Sequence, residues 1–537
     1  MTRSLKSIAA VVTSGTLVSK IGGLIRQLVI AGAFGVGAAY DAYNYAYVLP
    51  GFFLVLLGGI NGPFHNGVVS VLSRKSKKEA TYVLCAINTL TSLVLIILTA
   101  ILLFAANPII NIVGPSLNPD IHKIAVIQLQ IMAPITLLAG LIGIGFGSLN
   151  ANDEFLIPAI SPVISSCVVI TFVGIFWAHQ GKIVESQQLA IFGGVTLAVA
   201  TLIGAFMQWL IQIPALKRKG LNKFKLIWDW SHPGVKEVLK IIGPATLSSG
   251  MLQINVFTDL FFASGILGAA AGLSYANFLI QAPLGLISNA LLIPLLPTFA
   301  KLTSIENRVQ LIARLRQGLM LSTASMIALG AIFIALSSPI VTLIYSRGAF
   351  ESSAIELVAG LLIAYGLGMP FYLGRDLLVR VFYALGDGIT PFRMSAIGIG
   401  LNVVFDWILV GGPTPFGNQM PFNFGASGLV LATVAINFLT CTILLGKLNN
   451  RLGGLPLRNW SIDGLKLLLS GLVSGCTAWV INTRINWADG FISQSLGIMI
   501  AIGTSLYVFF LLAKTLKVKE VKELIKIFQE KVIRLPK

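Results

Sequence analysis

The chain has 537 residues, 56% of them hydrophobic and only 11% charged, with a formal net charge of +18 at neutral pH. A soluble domain spends about a quarter of its residues on charge, so this composition, with a mean hydropathy of +0.87, excludes an ordinary water-soluble enzyme. The basic excess is confined to one set of loops, which reports membrane topology rather than nucleic-acid binding.

Apolar runs long enough to cross about 30 Å of hydrocarbon as helices recur from end to end. In chain order the expected spans lie near 8–33, 42–70, 81–106, 123–148, 157–178, 188–213, 237–262, 270–297, 311–336, 355–384, 391–411, 425–446, 463–482 and 491–513, fourteen in all. The expected class is therefore an all-α polytopic membrane protein. Runs such as 83–106 and 495–513 do not alternate, which argues against a strand barrel. Lys6 precedes an apolar stretch in the manner of a signal peptide, but no small-residue cleavage site ends a short apolar core, so a retained first helix is expected.

The segments placed on one side carry Arg74, Lys75, Lys77 and Lys78, then Lys217, Arg218, Lys219, Lys223 and Lys225, then Lys301, Arg308, Arg314 and Arg316, and finally Lys447, Arg451 and Arg458. The opposite loops hold only Lys123, Lys182, Arg347 and Arg484. Positive-inside bias places the first set, and with an even span count both termini, in the cytoplasm. Cys85, Cys167, Cys441 and Cys476 all fall within spans and read as packing residues, with no metal-ligand spacing.

An internal repeat is visible. Gly37-Ala-Ala-Tyr-Asp41, with Pro50 to follow, resembles Gly268-Ala-Ala-Ala-Gly272, with Pro283 to follow, and the first glycines are 231 residues apart. At that offset Asn107-Pro108-Ile109 matches Ser338-Pro339-Ile340. Leu149-Asn-Ala-Asn-Asp153 before Pro158 is similar to Leu385-Gly-Asp387 before Pro391. Six spans separate corresponding points, so the halves enter the membrane in the same direction, a parallel duplication about the membrane normal. The expected organisation is a first six-span lobe over 1–220, a second over 221–450, two further spans over 451–513 and a basic amphipathic cytoplasmic tail over 514–537. That tail suits an anionic lipid surface or packing on cytoplasmic loops.

Ionisable groups at membrane depth are costly and mark functional interiors. In span one Lys20 lies about 18 Å and Arg26 about 27 Å along the helix, rotated by about 240° from each other. A lysine point charge and an arginine fork suit phosphate; the alternative is an internal pair between Arg26 and Asp41 at the start of span two. Arg375, Asp376 and Arg380 crowd span ten, either lining a cavity or pairing among themselves. Asn402 and Asp406 share a helix face, and with Asp259 and Thr433 they make a candidate site for Na⁺ or a proton; the alternative is neutralisation of Arg375 or Arg380. Asn61 and His65 flank the Gly62-Pro63 break as gate candidates, with a satisfied interior histidine as the other reading. No nucleophile–base triad, phosphate-binding glycine loop or cofactor motif appears, so a transporter is expected rather than an enzyme.

Several of these residues together resemble the MviN/MurJ lipid II flippase family. They are Leu5-Lys6-Ser-Ile-Ala-Ala, Ser19-Lys20-Ile-Gly22 with Arg26, Phe34-Gly35, Asp41-Ala42 before Leu49-Pro50, and Ile242-Gly243-Pro244-Ala245. Tyr275-Ala276 with Pro283, Leu292-Ile293-Pro294-Leu295-Leu296-Pro297 and Asp387 before Thr390-Pro391 extend the likeness over essentially the whole chain. The resemblance implies a fold of the multidrug/oligosaccharidyl-lipid/polysaccharide exporter superfamily, with two six-helix lobes around a cationic cavity and a lipid-tail groove at the last two helices. It implies flipping of lipid II across the bacterial inner membrane for peptidoglycan synthesis by alternating access, with cation-gradient or membrane-potential coupling. It further implies transport roles for Arg26 and Asp41, a sodium site at Asp259, Asn402 and Asp406, a monomeric transporter, and peptidoglycan-synthesis enzymes as partners. Two departures stand out. Gly51-Phe-Phe-Leu-Val-Leu-Leu57 follows Pro50 where many members place arginines, and Phe278 and Gln281 stand where many have arginine and glutamate. Arg375 or Arg380 then compensates. The rival readings are a polysaccharide-repeat lipid exporter, a drug exporter, and a non-transporting envelope-assembly scaffold.

Overall fold

The computed structural model describes all residues except 1–4, 60–61, 181–186, 222–224, 303, 412–421, 485–489 and 522–537. Among the described residues the regular structure is helical throughout. The first half comprises α1 (Leu5–Phe34), α2 (Ala38–Gly58), α3 (Pro63–Leu72), α4 (Lys77–Phe104), α5 (Ala106–Val113), α6 (Pro119–Met132), α7 (Ile135–Asn150), α8 (Leu156–Gln180), α9 (Gln187–Leu210) and α10 (Gln212–Lys219). There follow α11 (Pro233–Ala263), α12 (Ala269–Lys301), α13 (Arg308–Ala335), α14 (Ser337–Tyr345), α15 (Ser352–Ala384), α16 (Ile389–Val410), α17 (Ala426–Arg451), α18 (Leu457–Arg484) and α19 (Gly490–Thr515).

Eleven of the described helices are long and apolar enough to cross a membrane, or twelve if α6 and α7, bent by 41° around Ala133-Pro134, form one span. The second and seventh expected spans are helical as α2–α3 and α11 but do not belong to that set. In α2 the cause is plain: Tyr40, Asp41, Tyr43, Asn44, Tyr45 and Tyr47 make its first half a polar aromatic surface.

The 231-residue repeat reaches the helix boundaries. α4 runs from 77 to 104 and α13 from 308 to 335, and each is followed after one residue by a short helix starting at 106 or 337. The linking residues share a conformation, φ −99° and ψ 21° at Ala105 against φ −116° and ψ 20° at Leu336. A proline lacks an N–H and its ring clashes with the carbonyl four residues back. Pro108 and Pro339 stand four residues beyond Phe104 and Ala335, where the long helices stop. A second repeated device ties the end of each half to its own loop. Lys219 Nζ donates to the Asn152 carbonyl at 2.8 Å, while Arg451 Nη2 donates to the Leu385 carbonyl at 3.1 Å. Arg451 also pairs with Asp387 at 3.0 Å, and Asp387 caps α16 by accepting from the Thr390 amide at 2.9 Å.

By compactness the chain divides into a unit of residues 1–271 with 347–351, and a unit of residues 272–346 with 352–537. In the first unit α3, α4, α7 and α11 share an apolar core that includes Val68, Val83, Ile87, Leu90, Ile144, Val235 and Ile242. Gly143 and Gly147 of α7 let helices approach closely: a Cβ on Gly143 would strike the Leu57 carbonyl of α2, and one on Gly147 would press on Val68 of α3.

In the second unit an ion-pair hub fastens the last helices. Arg316 of α13 pairs with Asp463 of α18 at 2.8 Å and with Glu520, just beyond α19, at 2.9 Å; Lys466 also reaches Asp463 at 2.9 Å. The two carboxylate side chains are only 14% and 11% exposed. Arg316→Ala leaves Glu520 without its cation and Asp463 with Lys466 alone, and is expected to cost about 2 kcal/mol, because breaking one side of a largely buried pair strands the other. A lowered thermal unfolding midpoint in detergent checks this, and an unchanged midpoint removes the hub from the account.

Candidate functional site

α1 carries the first two cations. Lys20 is exposed on its surface. Arg26, a turn and a half further along, is partly buried, and its Nε is enclosed without a hydrogen-bond partner. Among the described residues no carboxylate pairs with it. Instead its charge reaches the phenols of Tyr43 and Tyr47 on α2. Tyr40, Tyr43 and Tyr47 stack in sequence, with ring centroids 5.9 and 5.2 Å apart. The ladder is pinned at its first and middle rungs: Gln27 Nε2 donates to the Tyr40 hydroxyl at 2.9 Å, and the Tyr43 hydroxyl meets Thr201 Oγ1 of α9 at 3.2 Å. Gln128 of α6 completes the frame by donating to the Ala39 carbonyl at 3.1 Å and the Gly194 carbonyl at 3.0 Å. The sequence reading passed over this ladder. The 40, 43, 47 spacing, one face of a helix, is the signal that could have found it.

Asp41 has a different partner from the one weighed against it. Its side chain is buried, 1% exposed, and Oδ1 accepts from the Ala271 amide at 3.0 Å, with the Gly268 and Ala270 amides also donating to the carboxylate. These amides belong to the start of α12, whose first N–H groups have no partner within the helix. Asp41 is thus a cap supplied from another helix, and its negative charge suits the positive end of the α12 dipole. The Gly37 and Gly268 turns, equivalent in the repeat, are brought together here. Beside them the Ala349 amide donates to the Gly32 carbonyl of α1 at 2.8 Å, so residues 347–351 pack on the end of α1.

His65, 8% exposed, braces α3 against the end of α7. Its Nε2 lies 2.7 Å from Asn150 Nδ2, and its Nδ1 lies 3.1 Å from Asn66 Oδ1. An amide donor facing Nε2 and an amide oxygen facing Nδ1 fit the neutral ring protonated on Nδ1. Asn61, paired with it as a gate candidate, lies outside the described residues.

In the second unit Arg375 of α15 donates to Asn437 Oδ1 of α17 at 3.3 Å and to Ser395 Oγ of α16 at 3.4 Å. Both contacts are long for hydrogen bonds, and Nε is enclosed without a partner. Arg380 is half-buried and Asp376 exposed on the same helix. Asn402 and Asp406 of α16 are fully buried and joined, Asn402 Nδ2 donating to Asp406 Oδ2 at 2.7 Å. Thr433 of α17 is partly buried, and its carbonyl accepts from Asn437 Nδ2 at 2.9 Å. The structure therefore brings Asn402 to Asp406. Asp259, on α11, is partly buried and belongs to the first compact unit, whereas the other three members of the candidate cation set belong to the second. The donors are hard oxygens, which suit Na⁺. Among the described residues no group of three or more His, Cys, Asp or Glu side chains gathers as a metal centre.

Comparison with known proteins gives one answer at the level of sequence. The model of the family described as lipid II flippase MurJ matches residues 30–497. A probable lipid II flippase MurJ from Synechocystis sp. is 46% identical over 522 residues, covering 97% of this chain and 96% of the relative. A lipid II flippase MurJ from Burkholderia cenocepacia is 28% identical, covering 87% and 89%. Among solved structures, a lipid II flippase MurJ in an inward closed conformation superposes with a TM-score of 0.74 at 24% identity, over 94% of this chain and 99% of that one. An inward-facing multidrug-resistance transporter of the MATE family and MOP superfamily gives 0.61 at 15% identity, over 83% and 98%. At such identities the structural likeness establishes the fold.

Proposed function

From a chain that belongs to the lipid II flippase MurJ family, we propose a transporter that moves lipid II from the cytoplasmic to the outer leaflet by alternating access. It is not a catalyst: it forms and breaks no bond, and its task is to carry a charged headgroup past hydrocarbon that would reject it. The observation that carries the reading is Arg26, a guanidinium within an apolar helix whose Nε is enclosed without a hydrogen-bond partner and which no carboxylate among the described residues neutralises, and which is therefore available to a diphosphate.

In this reading fourteen spans cross the bacterial inner membrane with both termini cytoplasmic, as the positive loops suggest. Residues 1–220 and 221–450 form the two repeated lobes, 451–513 receives the lipid tail, and 514–537 rests on anionic lipid. Lys20 and Arg26 supply cations in the first lobe, and Arg375 and Arg380 in the second. His65 and Asn61 stand at a gate. Asp259, Asn402, Asp406 and Thr433 hold the monovalent cation whose gradient, or the membrane potential, resets the empty carrier. The protein works as a monomer that hands its cargo to peptidoglycan-synthesis enzymes. Arg375→Ala is expected to weaken lipid II binding about tenfold, the worth of one charge-assisted contact; unchanged binding leaves Arg375 as a structural brace.

Rescue tests the function. Bacteria depleted of their own lipid II flippase are expected to grow when this chain is expressed. Lysis despite correctly inserted protein contradicts the reading.

A further inference from the structure

The connector between α10 and α11 is the part of the chain that the transport reading leaves unused. Residues 225–230 run without helical structure along α4, and alternate residues have opposite fates. From residue 226 on, the odd positions Ile227 and Asp229 are held to the protein. The Ile227 amide donates to Thr89 Oγ1 at 3.2 Å, and the Ile227 side chain packs on the first unit's core. Asp229 Oδ2 accepts from the Tyr82 hydroxyl at 2.9 Å, while Oδ1 accepts from the Ser231 and His232 amides at 2.9 and 3.0 Å. His232 then lies tilted against Tyr82, ring centroids 5.1 Å apart, and caps α11. The even positions point away. Leu226 is 92%, Trp228 62% and Trp230 49% exposed, the two indoles meeting edge to face at 6.1 Å.

Such alternation is the signature of an extended segment with one face bound and one face free. Tyr82 and Thr89 are about 10 Å apart along α4, so the strap is fixed at two levels, not merely tethered. The Asp229 carboxyl is held down at about 2 by hydrogen bonds from Ser231 and Tyr82, so this anchor stays ionised at neutral pH. Exposed cations flank the strap in sequence: Lys217 and Arg218 at the end of α10, and Lys225 at the start of the strap.

We infer that this strap is a lipid-docking surface, with Leu226, Trp228 and Trp230 seated in the interfacial layer of an anionic leaflet and Lys217, Arg218 and Lys225 on its phosphates. Tryptophan is suited to the boundary because its ring is apolar while its N–H seeks water or headgroup. The cations select anionic lipid, because each basic residue near such a surface adds attraction that a zwitterionic leaflet lacks. The leaflet is the one facing the positive loops. The strap joins the first repeat to α11, so docking it holds the junction of the repeats at a fixed depth.

The test is fluorescence quenching of the full chain in proteoliposomes, comparing the parent with Trp228→Phe/Trp230→Phe. These exposed positions lie outside the core, and an unchanged elution profile confirms the fold. The emission lost in the double variant is expected to be quenched by brominated phosphatidylglycerol more strongly than by brominated phosphatidylcholine, and little by aqueous acrylamide. Lys217→Gln/Lys225→Gln, which keeps both indoles, is expected to lose that preference by up to about fivefold per charge while the indoles remain lipid-quenched. Quenching by acrylamide alone places the strap in water and overturns the inference. Shielding from both quenchers shows a protein cover, a second copy or another partner, and also overturns it. Equal quenching by the two lipids, or a preference that survives loss of the lysines, overturns the anionic assignment.

Discussion

Arg26→Ala is expected to reduce lipid II translocation by about a hundredfold or more, the consequence of removing one side of a desolvated charge pair worth about 3 kcal/mol. The protein should still fold and insert, because Arg26 makes no ion pair with a carboxylate and its loss strands no acidic group among the described residues. Arg26→Lys is expected to recover part of the rate, since a lysine keeps the charge but loses the planar fork that matches two phosphate oxygens. Lys20 is exposed on α1, so Lys20→Ala is expected to cost less than Arg26→Ala. Initial rates of labelled lipid II movement in proteoliposomes, normalised to inserted protein, check the series. A full rate in Arg26→Ala would remove the guanidinium from the carrier's work.

Asp41→Ala is the second large effect, and it acts through backbone rather than through substrate. It leaves the first amides of α12 without their acceptor in a buried setting, at a cost of about 1–3 kcal/mol. The amides of Gly268, Ala270 and Ala271 should then exchange with solvent markedly faster. Asp41→Asn is expected to lie between, because its carbonyl oxygen can still accept while the charge that complements the helix dipole is gone. Any conformational step that parts α2 from the start of α12 must break this cap, so transport should fall in both variants even where substrate binding persists. Hydrogen exchange measured at 268–271 decides the point: rates unchanged from the parent would show that the carboxylate does not cap α12.

These two residues also show how much was legible beforehand. The position of Arg26 well inside a long apolar helix was readable from the sequence, since α1 runs from Leu5 to Phe34. Its surroundings did not follow, because the tyrosines on α2 were read as part of a span rather than as a ladder. Asp41 had its partner left open between substrate and Arg26. The true partner is a backbone amide 230 residues away, and a backbone group has no letter in a sequence, although the repeated Gly-Ala-Ala turns marked both ends of the contact. The repeat itself was readable, since prolines at 108 and 339 enforce the same break by the same steric rule. Span counting was weaker where one segment became two helices, at α2–α3 and α6–α7, or where polar residues diluted the apolar signal, as in α2. Asn402 and Asp406 met because helical periodicity dictates it. Asp259 shares no helix with them, and periodicity within a helix says nothing about neighbours on another.

This chain is expected to carry a diphosphate-linked glycopeptide lipid itself, rather than merely to share the architecture of transporters that do. Purified protein in proteoliposomes should be given fluorescent lipid II in one set and an undecaprenyl-linked polysaccharide repeat unit in another, with outward movement followed by accessibility to a membrane-impermeant quencher. Protein-dependent movement of lipid II, lost in Arg26→Ala, and little movement of the polysaccharide lipid are the expected results. Stationary lipid II beside a moving polysaccharide lipid would contradict them.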